Sequence, residues 1–221
     1  IIEKDDSIMT RLYSFKKLSP TAINTYQRCQ LQFYYNYIAE LKEPEDNLEN
    51  GVTNRTLGNI FHNSSEELYR DYSSSGRMIT EELIDKLSEK VHLEEIVDNM
   101  FKREIFGEDK SLWKEINYNG MQLISREVII RYLQRLLEID KKLAPFNILA
   151  AEADVFDNFK IKNADKTHDV KIGGRIDRLD LVTNKDTGKR NIRVVDYKTG
   201  AKDIEGAIAS VSEIFDTEKG N

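Results

Sequence analysis

Gly173-Gly174-Arg175-Ile176-Asp177-Arg178-Leu179-Asp180, followed by Val194-Val195-Asp196-Tyr197-Lys198-Thr199-Gly200, is the stretch on which the reading of this chain turns. Both runs have strand character, spanning about 172–182 and 191–199. Residues 183–189 join them, with Asn184, Asp186 and Gly188 as turn formers. Side chains alternate across a strand, so Ile192, Val194, Asp196 and Lys198 share one face. The two apolar ones are expected in the core, with the two polar ones emerging at the strand's end. A turn centred on Asp186-Thr187 sets Asp177 opposite Asp196, a pairing that a slip of one residue would break. Facing carboxylates repel unless something neutralises them, and a divalent cation is the simplest neutraliser. Lys198 could then position a water or steady a phosphate. The bland alternative is surface ion pairing, Asp177 with Arg175 or Arg178 and Asp196 with Lys198.

Upstream the pattern is helical. Residues 1–17 form a leading segment. Ser19-Pro20 is a helix start, with Ser19 as N-cap and Pro20 in the first helical position, and the helix should run through Tyr26, Leu31, Phe33, Tyr34 and Tyr37 to about Glu40. The acidic run 43–47 reads as a solvated loop. A second helix is expected over 56–72, with Leu57, Ile60, Phe61, Leu68 and Tyr72 on one face and His62 at its edge. Ser73-Ser74-Ser75-Gly76 is a break. One or two helices follow over 79–104, with Thr80 as a cap, and a buried helix covers 121–143. The character changes after Pro145: strand-like stretches at 148–161, then the hairpin, then a helix over 203–215. This order gives an α+β (α/β) class, a helical N-terminal half on a β-sheet.

Composition is permissive rather than directive. The chain has 221 residues, 39% hydrophobic and 33% charged, enough to bury a core. Apolar runs fall short of a membrane span, and residues 1–6 lack the basic start and apolar stretch of a signal peptide. Cys29 is the only cysteine, so no internal disulfide forms, and a reducing, cytoplasmic setting is expected. The net charge of −6 speaks against a general polyanion binder without excluding nucleic acid.

Taken together, five pieces in order resemble the PD-(D/E)xK nuclease superfamily, most closely its RecB/AddB-type branch. The first two, over 18–29 with Phe33-Tyr34-Tyr35 and over Leu57-Gly58-Asn59-Ile60-Phe61-His62, are similar to that branch's opening helix and its glycine–histidine helix. The others are Glu152, at the acidic position before the hairpin, and the Ile176–Asp180 and Asp196–Gly200 runs of the catalytic core. The resemblance implies a central mixed β-sheet of restriction-endonuclease-like type and a single domain over 18–221, helical over 18–145 and carrying the catalytic sheet and following helix over 146–221. It implies Mg²⁺ or Mn²⁺ on His62, Asp177, Asp196 and the Tyr197 carbonyl. Lys198 would orient the attacking water, and Glu152 would assist from behind or through a second ion. Arg175 and Arg178 would touch DNA phosphates or support the carboxylates, with support the expected job of Arg178. The neutral imidazole needed at His62 implies weaker activity at acid pH. The aromatic cluster Phe33-Tyr34-Tyr35-Tyr37 could stack on bases, but helix packing is the expected role.

The implied activity is divalent-metal-dependent DNA hydrolysis, an exonuclease module of a repair and recombination helicase–nuclease. No P-loop occurs, so the helicase would be a partner subunit or a region elsewhere. Gln30 replaces the proline that relatives carry after the cysteine, and one cysteine cannot build the four-cysteine iron–sulfur cluster of some relatives. The branch's later Gln…Tyr helix motif is not evident before Asn221, so a C-terminal truncation is expected. Two other readings stand beside this one: a non-catalytic DNA-binding or scaffolding module of the same fold, and a hydrolase of small phosphoesters.

Overall fold

The computed structural model describes residues 5–15, 17–41, 52–115, 117–163, 166–184 and 187–199. Helix α1 (Asp6–Ser14) starts where the Asp5 carboxylate accepts from the Ile8 N–H. Strand β1 (Lys17–Leu18) follows, then α2 (Pro20–Arg28), capped by Ser19 with Pro20 in its first turn as expected. The helix expected to reach residue 40 breaks at Cys29, whose extended backbone (φ −157°) ends α2. The Cys29 sulfur then accepts from the Gln32 N–H to start α3 (Gln30–Phe33), which runs on into a π-turn at Tyr34–Ile38.

Helix α4 (Asn54–Ser75) is longer than the sequence pattern suggested and ends at Gly76, whose φ of +63° is the left-handed cap that glycine supplies. Strand β2 (Met78–Ile79) and helix α5 (Glu81–Leu87), capped by Thr80, lead to α6 (Lys90–Phe106). Helix α7 (Gly120–Leu143) opens with a reciprocal cap between Asn119 and Gln122. It buries Ile129, Ile130, Leu133 and Leu137, whereas Leu123, Ile124 and Leu143, expected on its apolar face, are exposed. The acidic run 43–47 and the helix expected over 203–215 lie outside the described residues.

Three strands carry the chemistry: β3 (Phe146–Asn163), β4 (Lys166–Thr183) and β5 (Arg190–Val195). They belong to a mixed five-stranded sheet in the order β1-β4-β3-β2, with β5 also on β4. The β4–β5 register follows the expected turn, but its last pair is Arg178 with Val195, one step short of Asp177 and Asp196. Two expectations fail. The third strand stops at Val195 instead of reaching 199. Its faces are also reversed, because Ile192 and Val194 are 56% and 62% exposed while Arg193 and Val195 turn to the helices.

Arg193 turns inward because a charge network waits there. Arg178, 1% exposed, forks onto Asp140 of α7 with contacts of 2.7 and 2.6 Å. Tyr69 of α4 donates to the same carboxylate at 2.7 Å. Asp180 receives Arg193 at 2.9 and 2.7 Å and lies 3.1 Å from Arg178 Nε, the last as an ion pair without hydrogen-bond geometry. Burial pushes the Asp180 carboxyl above its ordinary pKa, against the pull of Arg178 and Arg193. Burial works against the Arg178 cation too, but Asp140 more than compensates and its pKa stands above the usual value.

Glycine has a specific job in this sheet. A Cβ on Gly173 would lie 1.9 Å from the Val155 carbonyl oxygen, so only hydrogen fits where β4 crosses β3.

Removing one member of a buried, charge-balanced set strands the others. Asp140→Ala is expected to lower unfolding free energy by about 3–5 kcal/mol in urea titrations. A loss below about 1 kcal/mol, the range of an exposed pair, would contradict a structural role for the network.

Candidate metal centre

Three elements converge on one cluster. His62 comes from the edge of α4, Glu152 from β3 and Asp177 from β4. A β-bulge between Ile148 and Ala150 shifts the β3–β4 register by one residue. Ala151 then pairs with Arg178 and Ala153 with Ile176, leaving Glu152 and Asp177 facing each other between them. Glu152 has φ +46°, a left-handed backbone that a glutamate rarely adopts and that costs of order 1–3 kcal/mol. Strain of this kind is tolerated where packing over-determines it and concentrates at functional sites.

The donor atoms of the three residues all lie within 4.8 Å of one another. His62 Nδ1 is 2.9 Å from Glu152 Oε1 and 3.5 Å from Asp177 Oδ1. Adjacent ligands on an octahedral ion with bonds near 2.0–2.1 Å stand about 3.0 Å apart. The separations and the donor chemistry, two carboxylates and an imidazole, therefore fit a hard divalent cation. Binding through Nδ1 places the imidazole proton on Nε2.

Both carboxylates are aimed by their second oxygen. Glu152 Oε2 is held by Arg175 Nε at 3.0 Å, and the same nitrogen donates to the Glu152 carbonyl at 3.0 Å. Asp177 Oδ2 accepts from the Tyr197 backbone N–H at 2.5 Å. Such outer partners fix the orientation of metal ligands. The Tyr197 ring is buried and stands edge-on to Phe61 and His62, and burial raises its hydroxyl pKa above the ordinary value.

The expected site residues divide clearly. His62, Glu152 and Asp177 come together, and Tyr197 joins them through its N–H. Asp196 and Lys198 stand at the solvent-facing end of β5, with side chains 60% and 70% exposed, bonded to each other at 2.6 Å. Arg175 is exposed and touches Glu152. Arg178 is buried and bonded to Asp140. The support residues Asp140, Tyr69 and Arg193 escaped the sequence reading. Asp140 did leave a signal: it continues the buried α7 stripe of Leu133, Leu136 and Leu137, a position where a carboxylate must have a partner. In the opening helices, Phe33 stacks on Tyr37 and meets Tyr26 edge-on, so this part of the aromatic cluster packs internally.

The sequence profile of the PD-(D/E)XK nuclease superfamily matches residues 17–212, most of the chain. No curated protein matches it.

Calorimetric titration with Mn²⁺ is expected to show saturable binding in the wild type. Asp177→Ala and Glu152→Ala should each weaken it about tenfold or more. Undiminished binding in both variants would place the ion elsewhere.

Proposed function

The chain belongs to the PD-(D/E)XK nuclease superfamily, and we propose that it cleaves DNA phosphodiesters with Mg²⁺ or Mn²⁺ held by His62, Glu152 and Asp177. Membership implies metal-dependent hydrolysis of nucleic acid; DNA as target, exonucleolytic action and service in a helicase–nuclease of RecB/AddB type are the finer reading offered here. The observation that carries it is the convergence of one imidazole and two carboxylates, each carboxylate aimed by a separate donor.

A bound divalent ion would polarise the phosphate and acidify a bound water. The chain's own groups do the rest. His62, Glu152 and Asp177 hold the charge of the ion. Arg175, exposed and beside Glu152, keeps that carboxylate oriented and is near enough to the cluster to meet a substrate phosphate. Tyr197 ties the Asp196–Lys198 segment to Asp177 through its backbone. Lys198 follows Tyr197 in the chain, and we assign its ammonium to orienting the attacking water and stabilising charge on the phosphate. Asp196 is a further carboxylate on the same tether, available as an additional ligand. The setting we assign is cytoplasmic, with a helicase subunit or region as working partner. Among the described residues no helix is long and apolar enough to cross a membrane.

A second reading, a DNA-binding or scaffolding module without catalysis, is favoured by one observation: Lys198 and Asp196 neutralise each other in solvent instead of pointing into the cluster. Lys198→Ala separates the two. The nuclease reading expects cleavage of labelled DNA in Mg²⁺ to fall about 10²-fold or more while DNA binding persists. A wild type that binds DNA and cleaves neither ends nor internal bonds would favour the scaffold.

A further inference from the structure

Strand β3 leaves a long edge open. Its inner edge is taken by β4 along its length, and among the described residues its outer edge is paired only at Phe146 and Asn147, with β2. From Asp154 to Lys162 every residue is exposed except the half-buried Phe156. Three of them, Val155, Phe159 and Ile161, are apolar, share one face by alternation and are between 44% and 48% exposed.

The edge also shows its direction of hydrogen bonding. The Asn158 N–H donates at 2.8 Å to the neighbouring Asp157 carboxylate, so this amide lies outside the β4 ladder. By alternation the even-numbered residues from 154 to 162 turn their N–H and C=O groups outward. An unpaired row of this kind accepts an added strand.

The charges say which strand. The segment carries Asp154 and Asp157 toward one end and Lys160 and Lys162 toward the other, and sums to zero. A polyanion meets no continuous positive strip here. An antiparallel copy of the same segment meets opposite charges. We infer that two copies of the chain pair antiparallel along β3, about a two-fold axis through Asn158.

In that register Asp154 faces the second copy's Lys162, Val155 faces Ile161, Phe156 faces Lys160 and Asp157 faces Phe159. Each pair occurs twice by symmetry. Neighbouring symmetric registers are worse. Centring on Asp157 opposes two carboxylates. Centring on Phe159 loses the Asp154–Lys162 pair and the Val155–Ile161 contact. The Asp157 carboxylate gives up the Asn158 N–H, which passes to the second copy's Asn158 carbonyl. The result is one sheet continuous across both copies.

Sedimentation velocity over a dilution series tests this, with circular dichroism to confirm folding. The wild type should pass from dimer to monomer on dilution. Asp154→Lys and Lys162→Asp should each raise the dimer dissociation constant about tenfold or more, and the double exchange should restore it. As a second measurement, Asn158→Cys in a Cys29→Ser background should cross-link two chains on mild oxidation. Opposed residues in a hydrogen-bonded pair stand about 5.5 Å apart at Cα, within disulfide range. A wild type that is monomeric at every concentration overturns the inference. So does a dimer indifferent to both single exchanges, or a cysteine variant that does not cross-link.

Discussion

A single residue of offset along β4 separates two opposite electrostatic demands. Asp177 turns toward His62 and Glu152, where negative charge accumulates and a cation is wanted. Arg178 turns to the helices, where a cation is already enclosed. Burying Asp140, Arg178 and Asp180 costs several kcal/mol for each ion, tolerable here because Arg178 and the half-buried Arg193 balance the two carboxylates. The arrangement fixes register. A slip of one residue would put Arg178 in the metal centre and leave Asp177 against Asp140. The inner charges thus hold the outer ones in place, and α7 positions the cluster through Asp140.

The cluster shows the same economy of backbone. One bulge on β3 and one left-handed residue, Glu152, bring two carboxylates face to face across adjacent strands. That juxtaposition is offset by His62, Arg175 and the Tyr197 N–H, each paired with a carboxylate oxygen. These contacts keep the carboxylates aimed, which lowers the ordering cost of binding an ion. The Asp196–Lys198 pair stands apart from this arrangement, on a segment past the end of β5 that the Tyr197 backbone links to Asp177.

Much of this was legible in the sequence. Ser19 and Thr80 marked true helix starts and Gly76 a true helix end, because capping is local chemistry, although the expected break over Ser73–Ser75 is the last turn of α4. The hairpin register followed from its turn residues as far as Arg178 and Val195, where the ladder ends before Asp177 and Asp196. What alternation could not decide was which face of β5 is inside, since Ile192 with Val194 and Val195 with Tyr197 are equally apolar. Asp180 settles it by drawing Arg193 inward. Strand character over most of β3 was legible at 148–161, but the start of β4, residues 166–171, was missed because it carries charges on both faces and lacks an apolar side. Glu152 was recognised as acidic support but not as a donor in the cluster, since its place there depends on a bulge and a positive φ that no sequence period reveals. Cys29 broke an expected helix for a similar reason: its sulfur caps the next one.

The most direct test of the account is anomalous diffraction from crystals soaked in Mn²⁺. The account predicts a single strong peak within bonding distance of His62 Nδ1, Glu152 Oε1 and Asp177 Oδ1. A soaked crystal with these three side chains still bonded to one another and no manganese between them would contradict it.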